Sequence, residues 1–248
     1  MKLSNAHCHP QFLDPESISS ILVTWKDNPV IAASTHYGDV HTVLHIAKEY
    51  SHVLPTIGWH PWYIPKDITR TDVDSIMLKF KSTIMNNTCP IGEVGLDWHP
   101  KWRDTRKWQL EIFERFLQFA NEFHRPVVVH CVRAHHEILR LLKKYPRTKL
   151  YLHHYQGKTQ VSAQYFRYNT YFGLPILQWS NRVNELINNI PNDRLLVETD
   201  SCVSYQVVSA QVVKHDISGQ LLVRCRNNLF QFIQGTSGDF SQQFQFCM

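Results

Sequence analysis

Five short apolar runs in this chain end on histidine or an acid, and that repeated ending constrains the fold more than any single motif. They read Asn5-Ala6-His7-Cys8-His9, Ile91-Gly92-Glu93-Val94-Gly95-Leu96-Asp97, Val127-Val128-Val129-His130, Leu150-Tyr151-Leu152-His153 and Leu195-Leu196-Val197-Glu198-Thr199-Asp200. A barrel of parallel strands gathers residues from different strand ends into one mouth, so ligands dispersed along the sequence converge on one site. The pattern predicts a metal-dependent hydrolase.

The chain between these runs alternates in the same sense. Strand-like segments are expected at Lys2 to Ala6, Val30 to Thr35, Val53 to Ile57, Cys89 to Val94, Val127 to His130, Lys149 to His153, Thr170 to Gly173 and Leu195 to Asp200. Helical stretches separate them near Ser17 to Trp25, Val40 to Tyr50, Val73 to Met85, Thr105 to His124, Ala134 to Tyr145, Ser162 to Tyr168 and Ser180 to Ile190. In the longest, Leu110, Phe113, Leu117, Ala120 and Phe123 recur at spacings of three and four, making one apolar face. Alternation of this kind predicts an α/β protein, a TIM-type (β/α)8 barrel, and the 248 residues suffice for one such domain.

The last part of the chain reads differently. Gln-rich Phe230 to Cys247 contains Gly235, Thr236, Ser237 and Gly238 where a packed closing helix is expected. The expected division is therefore a barrel over 1–202 and a divergent C-terminal segment over 203–248, with barrel closure incomplete there. Six cysteines without CxxC spacing and no basic-then-apolar leader predict an intracellular protein with reduced thiols, in cytoplasm or nucleus. No apolar run approaches the roughly 18 residues of a membrane span. The 26 Lys and Arg against 21 Asp and Glu leave a net charge of +5, which suits a polyanionic partner without requiring one.

On an extended strand end alternate side chains share a face, so His7 and His9 point together while Cys8 turns away into packing. Four histidines and two carboxylates exceed one tetrahedral site. Two divalent ions use them more economically: Glu93 bridging, His7, His9 and Asp200 on one ion, His130 and His153 on the other. Ions about 3.5–4 Å apart serve the attacking and leaving oxygens of a phosphodiester, and Asp200 would orient a water and take its proton. Glu198 is expected to support these residues through buried hydrogen bonds rather than to ligate. Asp97 reads as a loop or supporting residue, and His154 as facing away from His153.

The same residues resemble the TatD family of metal-dependent deoxyribonucleases. The resemblance runs from Leu3 to Ser201: His7-Cys8-His9 is similar to the family's His-x-His, Gly58-Trp59-His60-Pro61 to its Gly-x-His-Pro, and Gly92-Glu93-Val94-Gly95-Leu96-Asp97 to its Gly-Glu-x-Gly-Leu-Asp. Leu152-His153-His154-Tyr155-Gln156-Gly157 and Glu198-Thr199-Asp200 complete the order. It implies a (β/α)8 barrel with two divalent ions (Mg, Zn or Mn) held by His7, His9, Glu93, His130, His153 and Asp200. It also implies catalytic roles for Asp200 and Glu93, and DNA, single-stranded or at 3′ ends, as substrate for 3′–5′ exonucleolytic hydrolysis. His60 becomes a candidate phosphate contact, whereas the residues alone suggest a cap on a Pro-containing turn.

The chain departs from the family in two places. Val132 stands where the family often carries arginine, leaving Arg133 to approach phosphate from another direction, and Ser201-Cys202-Val203 replaces the usual small residue and Pro. Trp59, Trp62, Trp98 and Trp102, with Lys101 and Arg103, either stack on bases or pack the barrel-top loops. Two other functions remain open: hydrolysis of a small amide or ester, and a non-catalytic partner-binding barrel.

Overall fold

The computed structural model describes residues 3–215 and 217–234. Its strands are short and almost wholly buried: β1 (Asn5–Cys8), β2 (Val30–Ala33), β3 (Val53–Thr56), β4 (Ile91–Asp97), β5 (Val127–Val132), β6 (Leu150–Leu152), β7 (Thr170–Pro175) and β8 (Leu195–Glu198). Burial on both faces is what a parallel sheet wrapped by helices demands, which explains why runs such as Val30–Ala33 and Val127–Val129 are hydrophobic throughout rather than alternating, the exceptions lying at strand ends and on the site-facing side of β1 and β4. A helix follows each strand: α1 (Pro15–Leu22), α2 (Val40–Glu49), α3 (Arg70–Asn86), α4 (Arg106–Phe123), α5 (His135–Leu142), α6 (Thr159–Tyr165), α7 (Asn181–Asn189) and α8 (Tyr205–Lys214), with α9 (Gly219–Ile233) after them.

The strands pair in parallel as β1-β2-β3 and β4-β5-β6-β7-β8. Both seams between these sheets are hydrogen-bonded. At β3/β4, Gly92 N donates to Ile57 O at 2.9 Å and Ile57 N to Pro90 O at 3.2 Å. At β8/β1, Asp200 N donates to His7 O at 3.0 Å, and Thr199 N donates to the Asn5 side chain at 3.1 Å. The protein is a (β/α)8 barrel.

Local chemistry moves several boundaries away from the expected ones. α1 begins before Ser17 because Asp14 accepts from Ser17 N at 2.9 Å and Pro15 occupies the first turn. It ends at Leu22 and tightens into a 3-10 turn over Val23–Trp25, where the Thr24 hydroxyl donates to Ile21 O at 2.6 Å. α3 starts ahead of Val73 on a Thr69/Asp72 capping box. The first strand lies later than Lys2 to Ala6, so His7 and Cys8 are strand residues, and Cys8 is buried with its thiol donating to Ile31 O.

Inside the barrel, Ala6, Ile31, Leu54, Val128, Tyr151, Tyr171 and Leu196 form a cluster with one residue from each of seven strands. Leu229, Phe232 and Ile233 of α9 join it, with the Phe232 ring 5.7 Å from Tyr151 and 5.6 Å from Tyr171. Asn228 Nδ2 donates to Leu195 O and Lys149 Nζ to Gln231 O, so α9 lies across the ends where strands begin, opposite the mouth. Residues 205–214 and 219–233 of the segment set apart on sequence grounds are thus helical, while the Gly235-Thr236-Ser237-Gly238 cluster lies outside the described residues. Truncating Phe232 to Ala should cost about 3–5 kcal/mol, read as a lower denaturant midpoint at unchanged slope.

Candidate metal centre

At the mouth the strand ends bring their imidazoles onto one buried carboxylate. Glu93 Oε2 lies 3.2 Å from His7 Nε2 and 3.2 Å from His9 Nε2. Its other oxygen, Oε1, lies 2.7 Å from His153 Nε2, 3.1 Å from His130 Nδ1 and 3.2 Å from His60 Nε2. Asp200 stands at the open side, Oδ1 3.5 Å from His7 Nε2 and 3.8 Å from His9 Nε2. His7, His9, Glu93, His130, His153 and Asp200 therefore meet, and His60 meets them too.

These donors fit divalent cations. Three sets, His7/His9/Glu93, His7/His153/Asp200 and His60/Glu93/His130, each hold their ligand atoms within 4.8 Å of one another. His7 Nε2 faces His9 Nε2 at 3.1 Å, a contact between two acceptors unless a proton or a cation lies between them. His7 Nδ1 and His153 Nδ1 are buried without a hydrogen-bond partner among the described residues. Imidazole nitrogen with carboxylate oxygen suits zinc or manganese, and the carboxylates extend the range toward magnesium.

Protonation follows burial and neighbours. Burial pulls His7 and His60 down to about 4, so both are neutral at physiological pH. Burial would push Glu93 up, but His153, His60 and His7 around it outweigh that and hold it well below the usual carboxylate range. Asp200 follows the same balance: burial raises it, yet the His154 hydrogen bond and the nearby His153 and His7 keep it ionised. His130 differs, because hydrogen bonds to Asp97 and Glu93 overcome its burial and lift it to about 9.

Supporting contacts fix these side chains. Asp97 Oδ2 sits 3.2 Å from His130 Nε2 and accepts from the Trp62 indole at 2.6 Å, while its Oδ1 accepts from His99 N at 2.8 Å. Glu198 is fully buried, accepting from the Tyr151 hydroxyl and from His154 N, the latter at 2.5 Å. Gly173 makes room for it, since a Cβ there would stand 2.8 Å from Glu198 Cδ. His60 caps the 3-10 turn Pro61–Tyr63 through Nδ1, which accepts from Trp62 N at 3.1 Å, and turns Nε2 to the cluster.

Strand alternation fails for one residue of the site. Alternation along β6 turns His154 away from the site, but β6 ends at Leu152 and His154 takes a left-handed φ of 46°, bringing its Nδ1 to 3.5 Å from Asp200 Oδ2. No local sequence signal marks that turn. Asp97 ends β4 four residues from Glu93, on the same face by strand period, and there it supports His130 rather than standing in a loop. Arg133, at φ 56°, stands outside the ligand cluster and lines an adjoining cavity.

The four-tryptophan cluster divides. Trp59 is buried against Phe80, and Trp98 packs on the core beneath Arg106. Trp62 and Trp102 stack with centroids 5.8 Å apart, and of the four only Trp62 lines the cavity over the cluster.

Comparison with known proteins identifies the family. The profile of the family described as TatD related DNase matches residues 5–216. This chain belongs to the TatD family of hydrolases. The TatD-family chain is 29% identical over 191 residues to an uncharacterized metal-dependent hydrolase, YabD, of Bacillus subtilis (strain 168), covering 75% of this chain and 69% of the relative. It is 28% identical over 216 residues to the Homo sapiens protein named deoxyribonuclease TATDN3, covering 80% and 77%. The crystal structure of YJJV, a TatD homologue from Escherichia coli k12, superposes with a TM-score of 0.74 at 18% identity, covering 98% of this chain and 97% of that one, a likeness of fold.

Proposed function

We propose that this TatD-family hydrolase is a divalent-metal-dependent nuclease that cleaves DNA phosphodiesters, removing nucleotides from 3′ ends. The observation that carries the reading is Glu93, whose two oxygens face different histidine sets: His7 and His9 on one side, His130 and His153 on the other. A carboxylate so placed suits a pair of ions, with Asp200 completing the first set. When bound, such ions supply Lewis acidity toward a phosphoryl oxygen and acidify water.

The chain's own groups have separable tasks in this reading. Asp200 accepts a proton from the attacking water; the His154 contact at its Oδ2 keeps the carboxylate ionised and aims Oδ1 into the site. Asp97 orients His130 through Nε2, and Glu198 ties the ends of β6 and β8 together. Because Nδ1 of the neutral His60 accepts from Trp62 N, its Nε2 carries the proton and can donate to a substrate phosphate oxygen, and Arg133 meets a phosphate farther along the strand. The human relative's name favours DNA. Among the described residues no helix is long and apolar enough to cross a membrane, and the free thiols of Cys8, Cys89, Cys131, Cys202 and Cys225 support a reducing compartment, cytoplasm or nucleus.

The test is degradation of an end-labelled single-stranded DNA oligonucleotide by protein reconstituted with Mg, Mn or Zn, beside the RNA of the same sequence. Progressive shortening from the 3′ end, abolished by chelator and restored by metal, is the expected result. A folded, metal-loaded protein that leaves both strands intact overturns the reading.

A further inference from the structure

The mouth is divided in two. One cavity of about 400 Å³ is lined by Phe12, Trp62 and Tyr63 beside His9, His60 and Glu93. The other, about 620 Å³, is lined by Arg133, Lys158, Gln156 and His154. His130, His153 and Asp200 border both, so the chambers meet at the candidate centre.

Their linings differ in kind. Among the described residues the exposed large hydrophobics include three aromatics, Phe12 at 55%, Trp62 at 50% and Tyr63 at 41%, and all three stand in the first chamber. Exposed aromatic rings gathered in one cavity mark a ligand surface, and these are held in place beforehand. Trp62 is fixed by its indole bond to Asp97 and its stack on Trp102, Tyr63 lies flat on His36 at 4.9 Å and 4°, and Phe12 leans on His9 at 5.6 Å. In the second chamber Arg133 and Lys158 have no carboxylate partner among the described residues.

We infer that the two chambers read a single-stranded nucleic acid in one direction: the terminal nucleobase stacks on Phe12 and Trp62, the scissile phosphate lies at the centre, and the remaining backbone leaves past Arg133 and Lys158. This rests on the nuclease reading, its 3′ end included, and adds to it the surfaces that hold the terminal base and the departing backbone. Every base has a π-face, so stacking on fixed rings accepts any base but requires that one be present. Unpaired cations along the exit take successive phosphates without reading sequence. The smaller chamber is of a size that holds one small ligand.

Binding to metal-loaded protein separates the elements. Deoxyadenosine 5′-monophosphate should bind about tenfold more tightly than 2-deoxyribose 5-phosphate, which lacks the base. Phe12→Ala and Trp62→Ala should each shrink that difference, whereas Trp62→Phe, which keeps a ring but loses the bond to Asp97, should retain most of it. Arg133→Ala with Lys158→Ala should weaken a five-nucleotide single-stranded DNA about tenfold more than the mononucleotide and lower its salt slope by between one and two. Base discrimination that survives both alanine variants, or equal weakening of mononucleotide and oligonucleotide in the double variant, overturns the two-chamber arrangement while leaving the nuclease reading standing. Failure of wild type to bind any nucleotide, with inorganic phosphate still bound, removes both.

Discussion

Replacing Asp200 by Asn should lower turnover of a single-stranded oligonucleotide by roughly a thousandfold while leaving the barrel folded. Two properties of the residue set this expectation. Its carboxylate is the proton acceptor nearest to solvent in the cluster, with a side chain about one-third exposed, and it faces His7, His9, His153 and His154 together. An amide keeps the shape and loses both the negative charge and the basic oxygen. Asn is also the replacement the backbone accepts, because Asp200 has a left-handed φ of 59°, a conformation that Asn tolerates far better than Ala. An Ala variant would mix lost chemistry with backbone strain. Rates at saturating metal, with circular dichroism and metal stoichiometry alongside, check the point: full activity in the Asn variant would remove Asp200 from its role.

Gly95→Ala should be among the most damaging single substitutions, costing on the order of 3 kcal/mol or more. Gly95 lies in β4 between Glu93 and Asp97 with φ of 146°, and a Cβ there would fall 2.0 Å from His130 O. The close approach lets β4 run against β5 at the height of the ligands, where Gly95 pairs with His130. Adding a methyl group must push the strands apart, and the first distances to lengthen are those joining Glu93 and Asp97 to His130. Urea unfolding should show the lost stability, and metal titration a weaker or incomplete site. A variant with wild-type midpoint and stoichiometry would mean the strands give way without cost.

Much of this architecture is legible in the sequence because its determinants are local. Buried parallel strands require continuous apolar runs, and the runs ending at His7, Glu93, His130 and His153 are readable as such. The His-x-His pair likewise follows from strand period alone. What escapes is conformation just past a strand end. His154 and Asp200 adopt positive φ without glycine, so the two-residue period that serves inside β6 and β8 fails immediately beyond them. His60 shows a different limit: its capping role is local, but its approach to Glu93 depends on β3 and β4 being neighbours. The partition of the tryptophans is tertiary in the same sense, because only packing against Phe80 distinguishes buried Trp59 from half-exposed Trp62.

The hydrogen bond from Asp200 N to His7 O gives the order of chain synthesis a consequence. His7 at the end of β1 and His9 just past it leave the ribosome while β1 has no neighbour on its β8 side, and the residue that completes their set follows about 190 positions later. Until β8 docks, the ring is an open ribbon and its first ligands face water. A cation gripped by His7 on one lip and Asp200 on the other would act as a clasp, its binding energy drawn on to hold the ends of the ribbon together. Losing the ion would then undo one fastening among several, because the Asn5 bonds to Thr199 and the α9 side chains packed under the ring hold its ends as well.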